Sequence, residues 1–243
     1  MNHVANRQKG FTIIELMLAM SFIAVLLVAI ALTIIQVSTI YTKGLTLKEV
    51  NQTGREVADD IRRTVAASGK VELPGDFVEV KNGATTVGGR LCLGTSSYIW
   101  NYGAAIESNN TRLAQYTPDT GEKIRFVRVP DSAKGYCATN ASGQVAVANL
   151  LASDRANARE LLREGDRTLS LHNIKVDSSS TSYDPATGQR LFRITFTLGT
   201  QRTALINLGA TPINCKTPSE IGSDLNYCTV QEFSLVVRTG GEV

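Results

Sequence analysis

Between Lys9 and Lys43 the only charged side chain is Glu15, and it lies just inside a run of apolar residues. An acid in such surroundings needs a reason. One is a helix N-terminus, where the macrodipole favours a negative charge by about 0.3–1 kcal/mol. Pairing with a cation at the same depth is the other. A second kind of chemistry is offered by four cysteines, Cys92, Cys137, Cys215 and Cys228, all downstream of the apolar run. Their number is even, as disulfides require, and four cysteines permit three connectivities. The short stretch between Cys215 and Cys228 carries turn formers, which favours that pair and leaves Cys92 with Cys137; free buried thiols are the alternative. No C-x-x-C occurs, so a zinc site fails on spacing.

Catalytic constellations are scarce. Beyond Gly10 the one histidine is His172, and it falls in a strand pattern, where a structural role is expected. P-loop, H-E-x-x-H and EF-hand patterns are absent, and Asp184 to Gly188 lacks the alternating oxygen ligands of a calcium loop. Neither a cofactor nor a metal is expected, and an enzyme is disfavoured. Tyr98, Trp100 and Tyr102 share one face of a strand, a stripe that could stack sugars or bases if exposed but that a core also needs. Basic side chains number 25 against 22 acidic ones, a formal charge of +3 of which Arg7 and Lys9 supply two, so no basic field would attract nucleic acid.

The elements that must position these residues begin with the apolar run. Leu16 to Ile35 contains no charge, and at ~1.5 Å per residue twenty such residues cross a ~30 Å hydrocarbon core. A secretory signal peptide would be shorter and end in small residues, whereas this run continues uncharged to Thr42. Lysines and arginines flank both ends, so orientation rests on the cysteines: disulfides need an oxidising compartment, which places the C-terminal part outside. Beyond the span, Val50, Gly54, Val57, Ala58, Ile61 and Val65 recur at three- and four-residue steps opposite Glu49, Arg55, Glu56, Asp59, Arg62 and Arg63. A single helix from Phe11 to about Ala67 follows, closed by Ser68 and Gly69, with Gly44 a place for a bend.

After Gly69 short apolar alternations separated by Gly, Pro, Asn, Asp and Ser predict an antiparallel sheet domain over residues 68–243. Strands are expected at Phe77 to Val80, Leu91 to Leu93, Tyr98 to Tyr102, Ile124 to Val129, Leu169 to Val176, Leu191 to Leu198, Thr203 to Leu208 and Val230 to Val237. Asp177 to Arg190 reads as a long exposed hairpin loop. One short helix is expected from Asp154 to Glu164, capped by Ser153, stopped by Gly165 and anchored by Leu161 and Leu162. The fold class is therefore α+β: a long N-terminal helix, membrane-spanning over about residues 11–42, packed on an antiparallel β-sheet head.

The residues Lys9-Gly10-Phe11-Thr12-Ile13-Ile14-Glu15-Leu16 resemble the cleavage and methylation motif of type IV prepilins. The resemblance implies that a membrane prepilin peptidase removes residues 1–10 by cutting after Gly10 and N-methylates Phe11. Glu15 becomes the fifth residue of the trimmed chain, and the cut supplies the cation that an acid at this depth would neutralise, the new α-amine of Phe11 on a neighbouring subunit. Partners implied are other pilin or pseudopilin subunits through the N-terminal helix and an inner-membrane assembly platform. Up to Gly44 the span has neither the glycine nor the proline that many major pilins carry inside this helix, and the head is large, which leans toward a minor pilin. Asn51 to Ala66 further resembles the corresponding helix of minor pilins of the W type and of the J-type pseudopilin of type II secretion. The expectation is thus a filament subunit, held in the membrane before assembly with its head extracytoplasmic and then displayed on the cell surface. The rivals are a pseudopilin of a type II secretion system and a membrane-anchored extracytoplasmic binding module.

Overall fold

The computed structural model describes residues 10–117, 120–146, 148–162, 168–184 and 189–240, and the chain divides after Thr42 into two units. Helix α1 (Ile13–Ala66) supplies the whole described structure of the first unit apart from its entry at 10–12 and continues into the second. Within the first unit no large apolar side chain of α1 is buried. The hydroxyls of Ser21, Thr33 and Thr39 donate to the carbonyls of Met17, Ala29 and Gln36 at 2.8, 2.6 and 2.8 Å. Each thereby satisfies its own donor without water, which lets a polar residue occupy an apolar surface cheaply.

In the second unit α1 becomes amphipathic. Val50, Gly54, Val57, Ile61 and Val65 are buried at three- and four-residue steps, while Arg55, Glu56, Asp59, Arg62 and Arg63 stay exposed. Gly54 is there for space: a methyl group on its Cα would lie 2.0 Å from Cζ of Phe233, whose ring stacks on Phe196 at 5.2 Å. The helix ends as expected near Ser68, whose hydroxyl closes on the Val65 carbonyl at 2.6 Å.

Five antiparallel strands form the first sheet in sequence order: β1 (Phe77–Asn82), β2 (Thr85–Cys92), β3 (Ser96–Asn101), β4 (Phe126–Pro130) and β5 (Arg159–Glu160). A short helix α2 (Gly103–Glu107) follows β3, and α3 (Ala152–Arg155) precedes β5. Strand β6 (Leu169–Tyr183) pairs with β7 (Arg190–Thr200), which pairs on its other side with β10 (Val230–Arg238), making a three-stranded antiparallel sheet. A two-stranded ribbon, β8 (Ile206–Asn207) with β9 (Asn214–Cys215), completes the set, so the observed layout is α+β with antiparallel sheets.

Alternation along the strands builds two cores on opposite faces of the first sheet. Leu91, Tyr98, Trp100 and Phe126 join Val57, Ile61 and Val65 of α1 and Phe192, Ile194, Phe196 and Leu198 of β7. Cys92, Ile99, Val127 and Val129 point the other way, against Ala114, Tyr116, Tyr136 and Leu150 from the connecting segments. Strand β3 is consequently buried at every position, and the stripe of Tyr98 and Trp100 is core, with Tyr102 half-buried beside it.

Three expectations need correction. The helix expected from Asp154 to Glu164 is only α3; its N-cap is Leu151 rather than Ser153, and Arg159 and Glu160 are extended as β5. Edge pairing prevails over helix propensity there, because the Leu161 amide reaches the Phe126 carbonyl at 2.8 Å and Leu162 drops into the main core. Gly165 and Glu164 lie outside the described residues. The segment expected as a hairpin loop from Asp177 is largely strand, since β6 continues to Tyr183 and pairs with β7 at Asp177–Arg193 and, past a shift in register, at Tyr183–Arg190; Pro185 to Gly188 lie outside the described residues. The strand expected over Thr203 to Leu208 is a 3-10 turn at Thr203–Leu205 followed by the two residues of β8, which pack Leu205 and Ile206 on Cys228.

Candidate functional site

The first turn of α1 is built around Glu15. Helix geometry begins at Ile13, which makes Thr12 the N-cap and Glu15 the third helical residue, the spacing of a capping box. The Thr12 amide and hydroxyl each donate to Glu15 Oε2 at 2.9 Å, and the Glu15 amide returns a longer bond of 3.3 Å to Thr12 Oγ1. Both Thr12 donors fall on one oxygen, so Oε1 of this exposed carboxylate has no partner among the described residues. Next to it Phe11 is 90% exposed, and a side-chain carbon added at Gly10 would meet nothing within 4 Å. Gly10, Phe11 and Glu15 are thus brought together in one accessible turn, with a carboxylate oxygen available to a cation. Sequence reasoning missed Thr12, although Thr-x-x-Glu before an apolar run is a recognisable signal.

The cysteines pair as Cys92–Cys137 and Cys215–Cys228, and none is free. The first bond ties the end of β2 to a 3-10 turn at Gly135–Cys137 over a separation of 45 residues, and the second closes 13 residues around β9. Loop-closure entropy assigns them about 4 and about 3 kcal/mol of stabilisation respectively. Bonds of this kind persist in oxidising compartments, which fits a domain outside the cytosol.

His172 is set in β6 with 8% of its surface exposed, its Nε2 at 3.0 Å from the Thr200 carbonyl and its Nδ1 without a partner. Gly103 and Gly199 close over the ring, where a methyl group on either would come within 3.1 and 3.2 Å of its atoms. Burial holds its pKa down to about 4 from an ordinary 6.5, the Thr200 carbonyl opposing only in part. The unfolded chain therefore takes up a proton below about pH 6.5 that the folded chain refuses until about pH 4, so this residue makes stability fall as pH drops through that window. By pH 4.5 the loss is expected to be on the order of 2–3 kcal/mol. Denaturant midpoints at pH 7.5 and 4.5 check it: the stability advantage of the wild type over His172→Leu should shrink by about that amount.

Fold and site together define the class: an α+β protein whose disulfide-bonded sheet domain follows a helix long and apolar enough to cross a bilayer. Comparison with protein-family models, with curated proteins and with solved structures finds no match for this chain.

Proposed function

We propose that the protein is a type IV pilin-like filament subunit, trimmed after Gly10, N-methylated at Phe11 and assembled through the apolar part of α1. The observation that carries this reading is an extended helical surface, Ile13 to Tyr41, whose large apolar side chains are exposed, headed by an acid that keeps one oxygen uncommitted among the described residues. Lipid covers that surface before assembly and neighbouring helices cover it afterwards, so burial changes partner without exposing apolar area to water. Glu15 Oε1 then accepts the α-amine of Phe11 from a neighbouring subunit, while Oε2 holds the first turn. A plain anchor could use the acid as a cap but has no use for the uncommitted oxygen. The head, residues 68–243, faces outward and determines what the filament touches, in the manner of a minor pilin. The pseudopilin of a type II secretion system shares these features, the prepilin peptidase and an inner-membrane assembly platform included, and differs in the other components encoded beside it.

Intact mass of the protein from native cells tests the reading. A chain beginning at N-methylated Phe11 is expected, and one still beginning at Met1 would end the proposal. Gly10→Val should leave the precursor uncut at full mass. Because a side chain at Gly10 meets nothing in the fold, that result would report on the peptidase and not on folding.

A further inference from the structure

Arg90 is a cation where none is expected. It lies on β2 opposite Val78 and Ile99, pointing away from α1, and is 1% exposed. Its Nη1 donates to the Gly89 carbonyl at 2.8 Å and its Nη2 to the Ala148 carbonyl at 3.1 Å. Nε–H has no acceptor, and among the described residues no carboxylate pairs with the guanidinium. Burial pulls its pKa down to about 10, which leaves it charged at neutral pH. A buried charge held only by two neutral carbonyls is costly, and proteins ordinarily avoid it unless a counter-charge arrives.

Arg90 lines a cleft of about 720 Å³, within the range of small-molecule sites, between the β1–β2 edge and the segments around Arg112 and Gln144. The polar groups of this cleft are spent unevenly. Gln144 Oε1 accepts from Arg112 Nη1 at 2.7 Å, and Asn149 Oδ1 accepts from the Gln115 amide at 3.2 Å. Both side-chain amides therefore use their acceptors internally and keep their NH₂ donors, and these bonds also fix which end of each amide is oxygen. The lining carboxylate, Glu79, is bonded to Lys81 at 3.0 Å. What remains is a cluster of donors with a positive balance, beside a short apolar wall of Val80, Leu113 and Val145.

We propose that this cleft binds a small acidic sugar, with Arg90 meeting its carboxylate and the amides of Gln144 and Asn149 meeting its ring and hydroxyl oxygens. A planar carboxylate matches the guanidinium fork and supplies the missing counter-charge. Hydroxyl and ring oxygens supply acceptors to the amide donors, and the C–H face of the ring covers the apolar wall. The inference concerns residues 79–149 alone and holds whether or not the chain assembles into filaments.

Titration of the detergent-solubilised full chain with D-glucuronate, D-glucose and inorganic phosphate, followed by calorimetry and saturation-transfer NMR, tests it. Glucuronate should bind, with glucose at least about tenfold weaker, the ratio expected when a charge-assisted bond of about 1.5 kcal/mol or more is lost, and phosphate also at least about tenfold weaker, because it keeps the ion pair but brings no sugar ring to the Gln144 and Asn149 amides and the apolar wall. Arg90→Lys, which keeps the charge and loses the fork, should weaken glucuronate by about tenfold or more. Should that buried substitution disturb folding, judged by circular dichroism, the exposed pair Arg112→Ala with Gln144→Ala should still weaken glucuronate by at least about fivefold. Equal binding of glucose, phosphate that binds as well as glucuronate, no binding by any probe, or unchanged affinity in the double variant would each overturn the proposal.

Discussion

A Glu15→Gln chain is expected to be trimmed like the wild type and yet to be lost from sheared filaments by up to about 100-fold. Glutamine at this position can still accept from the Thr12 amide and hydroxyl, because a capping box works with either side chain. What it cannot do is neutralise an ammonium. An uncompensated charge at lipid depth costs about 3 kcal/mol, which is the stated factor in an equilibrium. Glu15→Ala should fail equally and in addition lose the two bonds that Thr12 donates to the side chain in the first turn. The two variants thus separate two roles held by one side chain. Intact mass reads trimming, and immunoblotting of sheared filaments reads incorporation. If the glutamine chain enters filaments like the wild type while the alanine chain does not, the carboxylate serves only its own helix and the pairing is wrong.

How much of this was legible depended on whether a residue's neighbours in sequence are also its neighbours in space. The amphipathic part of α1 could be read directly, since helical periodicity is local and Val50, Val57, Ile61 and Val65 are buried where that period puts them. Strand β7 is similar, with Phe192, Ile194, Phe196 and Leu198 alternating into one core. The first half of β2 gave no such signal: Gly88 and Gly89 stand where apolar residues would mark a strand, because Trp100 crosses so closely that a methyl on Gly89 would lie 2.5 Å from its ring. The far half of β6 was hidden for the opposite reason. Beyond Val176 it pairs with β7 through backbone bonds without an apolar alternation of its own, so its serine-rich sequence reads as loop.

Functional residues followed the same division. Gly10, Phe11 and Glu15 are contiguous, and their motif is visible in the sequence, whereas the donors around Arg90 come from segments far apart in the chain and no local pattern joins them. Gly54 is a residue type that weakens a helix, and its reason, the space for Phe233, lies about 180 residues downstream in the sequence. Asp60 offered a clue that the reading passed over. It is three residues after Val57 and four before Thr64, on the stripe that the helical period assigns to the core, and an acid on that stripe implies a partner.

That partner is a cluster, and Asp60→Ala is expected to destabilise the sheet domain well beyond an ordinary surface substitution. Asp60 is 1% exposed; Tyr98 donates its hydroxyl to Oδ2 at 2.8 Å, and Arg128 and Arg159 each reach Oδ1 at 3.0 Å. One side chain of α1 thereby fastens the helix to β3, β4 and β5. The contributions are unequal. Arg159 is 55% exposed and rehydrates when its partner leaves, so it adds little. Arg128 is 30% exposed and keeps a bond of 3.0 Å to Thr64, so its loss is partial. The Tyr98 hydroxyl is sealed in the core, where burial already raises its pKa, and an orphaned donor there costs about 1–3 kcal/mol. Together with the cavity these give a loss on the order of 3 kcal/mol, or about 6–12 °C in the melting temperature of a domain of this size. Thermal unfolding followed by near-UV circular dichroism in detergent measures it. Because the hydroxyl is the costly orphan, Tyr98→Phe should cost less in the Asp60→Ala background than in the wild type, since removing both ends of that bond leaves neither end unsatisfied. A shift within about 0.5 kcal/mol for Asp60→Ala, the range of ordinary surface substitutions, would mean that the helix is held by apolar packing alone.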